Sequence, residues 1–128
     1  MKVNLDQTLV DFEGDPIAVT KQRIMGNMIA EVPETKKTKG EDGVEKEEPI
    51  HWSLKRICVN TLSTPHENDK NMDADALVKR WKLAMRLHDG GEQEMSADEA
   101  VELRKRMALF NTHFGLQVVA QACEMLKG

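Results

Sequence analysis

Four histidines and two cysteines are the side chains of this sequence best suited to chemistry near neutral pH, because imidazole titrates there and a thiolate is both nucleophile and metal ligand. Zinc would need histidines one helical turn apart, and His51, His66, His88 and His113 are scattered without any such spacing. Cys58 and Cys123 form no CxxC pair, so neither a zinc site nor a disulfide scaffold is expected from them. A cysteine–histidine nucleophile also requires an orienting third group, to which nothing in the sequence points. Two reduced structural thiols in a cytoplasm are the expectation. Residues 88–99 lie between two helical patterns and end in Glu99, the layout of a calcium loop. Yet His88, Gly90 and Gln93 occupy its first, third and sixth positions, where calcium needs two oxygen ligands and a glycine. Glu99 fits better as half of a capping box begun by Ser96. Gly90-Gly91 belongs to neither GxxxxGKS/T nor GxGxxG, and no paired carboxylates suggest glycoside hydrolysis or metal-dependent phosphoryl transfer. No catalytic, metal or cofactor residue is assigned, and a non-enzymatic role is expected.

Binding chemistry offers more. Lys79, Arg80, Lys82 and Arg86 form the densest basic patch, with no acid between Leu77 and His88. Lys79, Lys82 and Arg86 would contact phosphate or an acidic partner, although the same spacing also makes the solvated back of an amphipathic helix. Arg104, Lys105 and Arg106 add a second basic run. Against nucleic acid stands the overall balance: 18 basic against 22 acidic side chains, a formal net charge of −4, whereas phosphate neutralisation supplies much of such a protein's affinity. Only Phe12, Trp52, Trp81, Phe110 and Phe114 supply rings, and tyrosine is absent, too few for a stacking platform. A helix-turn-helix around Asn111–Gly115 fares no better, because its reading helix would expose Gln117, Gln121 and Glu124 with no base before Lys127.

One domain must position these residues. A chain of 128 residues is long enough to bury a core without staples. At 40% hydrophobic, 31% charged and a mean hydropathy of −0.53, it reads as soluble and globular. No apolar run approaches the roughly 18 residues of a membrane span, so no membrane partner is expected. Asn4, Asp6 and Gln7 interrupt the opening, which predicts no cleaved leader.

Residues 1–33 read as β-rich. Val3 and Leu5, then Val10 and Phe12, alternate with polar neighbours as half-buried strands do. Glu13-Gly14-Asp15-Pro16 is a turn, and Ile17, Val19, Ile24, Ile29 and Val32 around Gly26 predict a small hairpin or meander. Residues 34–48 hold a single apolar side chain, Val44, and form a charged loop or the solvated arms of a hairpin. Residues 49–128 are helical. The first helix is capped by Ser53 and turns Leu54, Ile57, Cys58 and Leu62 inward. The second runs from an Asp73 cap to about His88, with Leu77, Trp81, Ala84, Met85 and His88 inward. The third opens on the Ser96–Glu99 capping box and buries Ala100, Leu103, Met107 and Phe110. The last, Leu116 to Leu126, places Leu116, Val119, Ala120, Cys123 and Leu126 on one face, widened by Val118, Ala122 and Met125. The expected fold is therefore mainly α, about four helices with a small N-terminal β-hairpin or meander (α+β).

Several of these segments, taken together, resemble small accessory proteins of tailed bacteriophages and prophages. They are the Asp11-Phe12-Glu13-Gly14-Asp15-Pro16-Ile17 turn, Val59-Asn60-Thr61-Leu62, Lys79-Arg80-Trp81-Lys82-Leu83-Ala84, the Gly-Gly loop into Ser96-Ala97-Asp98-Glu99, and Gln117-Val118-Val119 with Gln121. The resemblance spans most of the chain except the charged insertion from Glu34 to Glu48, and its motifs are structural. It implies an accessory protein acting in the bacterial host cytoplasm and carries over no catalytic residue. The expected function is a non-enzymatic phage or prophage interaction protein, oligomeric, serving virion assembly or packaging. Leu116, Val118, Val119, Ala122, Met125 and Leu126 are its candidate partner-binding surface, toward a second copy and a phage structural or packaging protein. The alternative is a nucleic-acid-binding or host-directed regulatory module using Lys79, Lys82 and Arg86.

Overall fold

Oxygen-bearing caps start three helices. The computed structural model describes residues 1–127 and all their side chains but those of Arg23 and Met25. In it the Ser53 hydroxyl accepts from the Arg56 amide to open α1 (Leu54–Ser63), and the Asp73 carboxylate accepts from Ala76 at the head of α2 (Ala74–His88). Ser96 and Glu99 cap each other's amides at the start of α3 (Ala97–Leu109). Each cap satisfies backbone donors that the first turn leaves without a partner. A single turn, α4 (Asn111–Phe114), ends at Gly115, whose φ of 93° is open to glycine and strained for other residues. That residue redirects the chain into α5 (Leu116–Met125). About 44% of the chain is helical and 26% strand, so helix dominates an α+β architecture whose four longer helices are the four expected.

Among the described residues six short strands pair two by two: β1 (Lys2–Asn4), β2 (Thr20–Met25), β3 (Met28–Pro33), β4 (Thr35–Lys39), β5 (Glu45–Pro49) and β6 (Glu92–Glu94). The expected hairpin is β2–β3, turning at Gly26-Asn27 with Ile24 opposite Ile29. The remainder of the N-terminal β part differs from a meander. β1 pairs with the distant β6, Val3 opposite Gln93. Phe12 is 90% exposed, because residues 11–15 close into a turn where the Asp11 carboxylate accepts from the Glu13 and Asp15 amides. The charged stretch takes the hairpin form, β4–β5, with Lys37 opposite Glu47 and Lys39 opposite Glu45, cross-strand pairs of opposite sign that suit two solvated arms. Both hairpins stand on one base, in which Val19 donates to Ile50 (2.7 Å), Ile50 to Glu34 (2.8 Å) and Glu34 back to Val19 (2.7 Å) through backbone groups.

The core gathers Leu5, Leu9, Leu54, Ile57, Leu87, Met95, Leu103, Met107 and Leu126, all essentially inaccessible, each stabilising the fold by about 1.5–3 kcal/mol relative to exposure. The four inward residues expected of α3 are all buried. In α1, Leu54, Ile57 and Cys58 are buried, while Thr61 rather than Leu62 completes the stripe.

Two helix faces depart from expectation. α2 buries Ala84 and Leu87 and leaves Leu77, Trp81 and Met85 exposed, a rotation of about one residue, ~100°. The inward side carries Leu83, Ala84 and Leu87, and on it the Arg80 guanidinium donates to Asp69 Oδ1 at 3.0 Å. In α5 the apolar width is consumed by the chain itself. Val118, Val119, Ala122 and Leu126 are buried and Met125 packs against them, while Leu116 and Ala120 face out. Among the described residues no helix is long and apolar enough to cross a membrane.

Candidate interaction surfaces

His66, His113 and both cysteines are engaged with the fold, while His51 and His88 are exposed. Nδ1 of His66 accepts from the Asn68 amide at 3.1 Å and caps a short 3₁₀ turn, Glu67–Asp69. Its ring meets the edge of Phe110 at 5.3 Å, and His113 meets Phe114 at 4.9 Å. His51 borders a shallow depression with Lys36 and Arg56, and His88 is exposed at the end of α2. Burial, then the neighbouring Cys123, pushes the Cys58 thiol up to about 12. Burial also raises Cys123, against the pull of Arg104 and Lys127. A thiol held protonated is a poor nucleophile at neutral pH.

The basic residues divide sharply. Arg106 is buried. Its Nε donates to the Thr61 carbonyl at 2.8 Å, one terminal nitrogen to the Thr64 carbonyl at 2.8 Å, and the pair of them to the two Asp69 oxygens at 2.8 and 2.9 Å. The Arg106 guanidinium, with Arg80 and the His66 amide adding to it, holds the Asp69 carboxyl well below the usual carboxylate range against the opposing effect of burial. A buried guanidinium with four of its five N–H donors so engaged is not placed to bind phosphate. Arg86 donates to Glu99 Oε2 at 2.7 Å; burial pushes that carboxyl up, but the Ser96 amide and the Arg86 charge outweigh it and lower it. Lys79 and Lys82 stand exposed on α2. Sequence reasoning missed the Arg106–Asp69 pair because an arginine in a last turn already has a reason to be there, the helix dipole.

A groove runs between the 11–16 turn and the α4–α5 junction. Gln121 creates it: the Val10 amide donates to Gln121 Oε1 at 3.0 Å, and Gln121 Nε2 donates to the Val10 carbonyl. One side-chain amide thus takes the place of a neighbouring strand and pins the turn beside α5. Phe12, Ile17, Phe114, Leu116 and Val118 line the open groove, of about 530 Å³. Leu116 is 74% exposed. Of the six candidate partner-binding residues, Leu116 is exposed at this groove; Val118 lines it but is buried, and like Val119, Ala122 and Leu126 is committed to the core, with Met125 packed on it. Phe12 was missed because its alternation with Val10 looks like a strand. Acids flank the groove at Asp11, Glu13 and Asp15.

Two further apolar patches face water. The turn end of β2–β3 exposes Ile24 (77%), Met28 (72%) and Ile29 (69%), on a two-stranded hairpin of a kind marginally stable when isolated. The outer side of α2 exposes Leu77, Val78, Trp81 (60%) and Met85. Contiguous apolar exposure of this sort marks interaction sites.

Compared with protein-family models, curated proteins and solved structures, the chain matches none.

Proposed function

We propose that this chain is a non-enzymatic interaction protein that self-associates, the apolar tip of β2–β3 of one copy entering the Phe12–Leu116 groove of the next. The observation that carries the reading is the presence, on separate parts of one molecule, of an exposed apolar projection (Ile24, Met28, Ile29) and an open recess bordered by the exposed Phe12 and Leu116. Contacts between unlike patches are heterologous and build rings or filaments, the form that accessory factors of a repeating particle require. The phage-like segments of the sequence supply the setting: assembly or packaging of a virion in the cytoplasm of a bacterial host, beside a structural or packaging protein. A nucleic-acid or regulatory role through Lys79, Lys82 and Arg86 is weaker, because Arg86 is drawn to Glu99 and Arg106 to Asp69.

Sedimentation velocity over a range of concentrations tests the proposal. The wild-type chain is expected to populate species larger than a monomer. Ile24→Ser with Ile29→Ser, or Leu116→Ser, is expected to yield monomers. A mixture of the two variants then gives a dimer and nothing larger, since one intact tip meets one intact groove. A wild-type chain that remains monomeric at the highest concentration overturns the reading.

A further inference from the structure

We propose that the outer face of α2 is a docking surface for an acidic amphipathic helix of another protein. The circumference of α2 divides into three stripes. Ala84 and Leu87 enter the core; Leu77, Val78, Trp81 and Met85 form an exposed apolar stripe; Lys79 and Lys82 line its flank, where Arg86 is drawn to Glu99. Eight residues separate Leu77 from Met85, about 12 Å along the axis, which matches two to three turns of a partner helix. Trp81 stands at the middle of the stripe, and a partly exposed tryptophan is a frequent anchor of protein interfaces. An apolar stripe bordered by bases is complemented by a helix with apolar residues at i, i+4 and i+7 and acids along one edge.

Charge distribution selects this occupant over others. The exposed acids Asp73 and Asp75 precede the stripe and Asp89 follows it. An anionic bilayer or a long duplex, extending past both ends, would meet these acids as well as the bases. A short helix aligns its acids with Lys79 and Lys82 alone. An antiparallel second copy of α2 is also disfavoured, because two such stripes packed about a perpendicular two-fold axis bring their Lys82 edges to the same side, where like charges repel.

The test uses the full chain and four probes: a synthetic helical peptide with Leu and Phe on one face and Glu along its edge, a twin carrying Lys for Glu, phosphatidylglycerol vesicles, and duplex DNA. Trp52 is already buried and Trp81 is not, so a blue shift of intrinsic fluorescence reports on α2. A saturable shift with the Glu peptide, at least about tenfold tighter than with its Lys twin and weakened by salt, is the expected result. By anisotropy of labelled peptide, Trp81→Ala is expected to weaken binding about tenfold or more, and Lys79→Glu with Lys82→Glu to reverse the preference between the peptides. These side chains are exposed, so the variants should keep the wild-type far-UV circular dichroism. Equal binding of the two peptides, binding of neither, or tighter binding of vesicles or duplex overturns the proposal. None of these outcomes depends on whether the chain self-associates through its hairpin.

Discussion

Asp69 joins three parts of the chain through one carboxylate: Arg106 from α3, Arg80 from α2 and the amide of His66 in the intervening loop. Removing one partner of a buried ion pair leaves the other desolvated, a loss of about 3–5 kcal/mol. Arg106→Ala should cost less, about 1–3 kcal/mol, because Asp69 is part-exposed and keeps Arg80 and the His66 amide while the Thr61 and Thr64 carbonyls lose their donor; urea unfolding followed by circular dichroism measures it. The pH dependence has a definite sign. A carboxyl whose folded pKa is depressed contributes fully above its unfolded value and loses that contribution as pH falls through the folded one. The advantage of wild type over Asp69→Asn should therefore be level from neutrality to about pH 5 and shrink below about pH 4, where an unfolded aspartate takes up its proton. An advantage that persisted unchanged to lower pH would contradict the role assigned to this pair. Nothing in the polar run from His66 to Asn71 marks Asp69 out from its neighbours, because the arginines that single it out come from two other helices.

At the scale of elements, local chemistry sets where each helix starts and stops. Ser53, Asp73 and Ser96 act on amides three residues away, which is why their roles are legible in the sequence. Gly90 and Gly91, both at φ 71°, end α2 and lead the chain into β6. A Cβ at Gly90 would lie 2.8 Å from Asp6 Oδ1, the oxygen that accepts from the Gly91 amide. Gly90→Ala is thus expected to combine a left-handed backbone cost of about 1–2 kcal/mol with a steric clash. Gly14→Ala, at φ 88° with open space around it, should incur the backbone cost alone. Comparing the two unfolding midpoints checks the order. Which face of each helix is buried was legible in α3, where one apolar stripe exists, and not in α2, where Leu77, Trp81 and Met85 compete with Ala84 and Leu87 at the same helical period.

For the molecule as a whole, the two hairpins are additions to a helical core. β4–β5 exposes nearly every residue, so replacing 37–47 with Asn-Gly should change stability by less than about 1 kcal/mol, within the cost of altering a surface loop. Thermal unfolding of that variant measures it, and a large loss would mean that the arms support the core. Its base is different: the backbone bonds among Val19, Glu34 and Ile50 tie both hairpins to the body and would survive the change. The groove, the hairpin tip and the outer face of α2 are built from different residues of this frame, so the self-association and the helix docking proposed above would not compete for one surface.

Composition and periodicity by themselves determined the α+β class, the four longer helices, the caps of three of them, a small hairpin or meander around Gly26, and the charged character of the 34–48 stretch. All of these follow from interactions between residues close in the chain. Tertiary structure alone decided the pairing of β1 with β6, the burial of Arg106, the inward turn of Arg80, and the groove that Gln121 forms with Val10. An apolar stripe states that a helix has a side suited to burial; only a neighbour with the matching surface settles which side meets the core and which stays open to a partner.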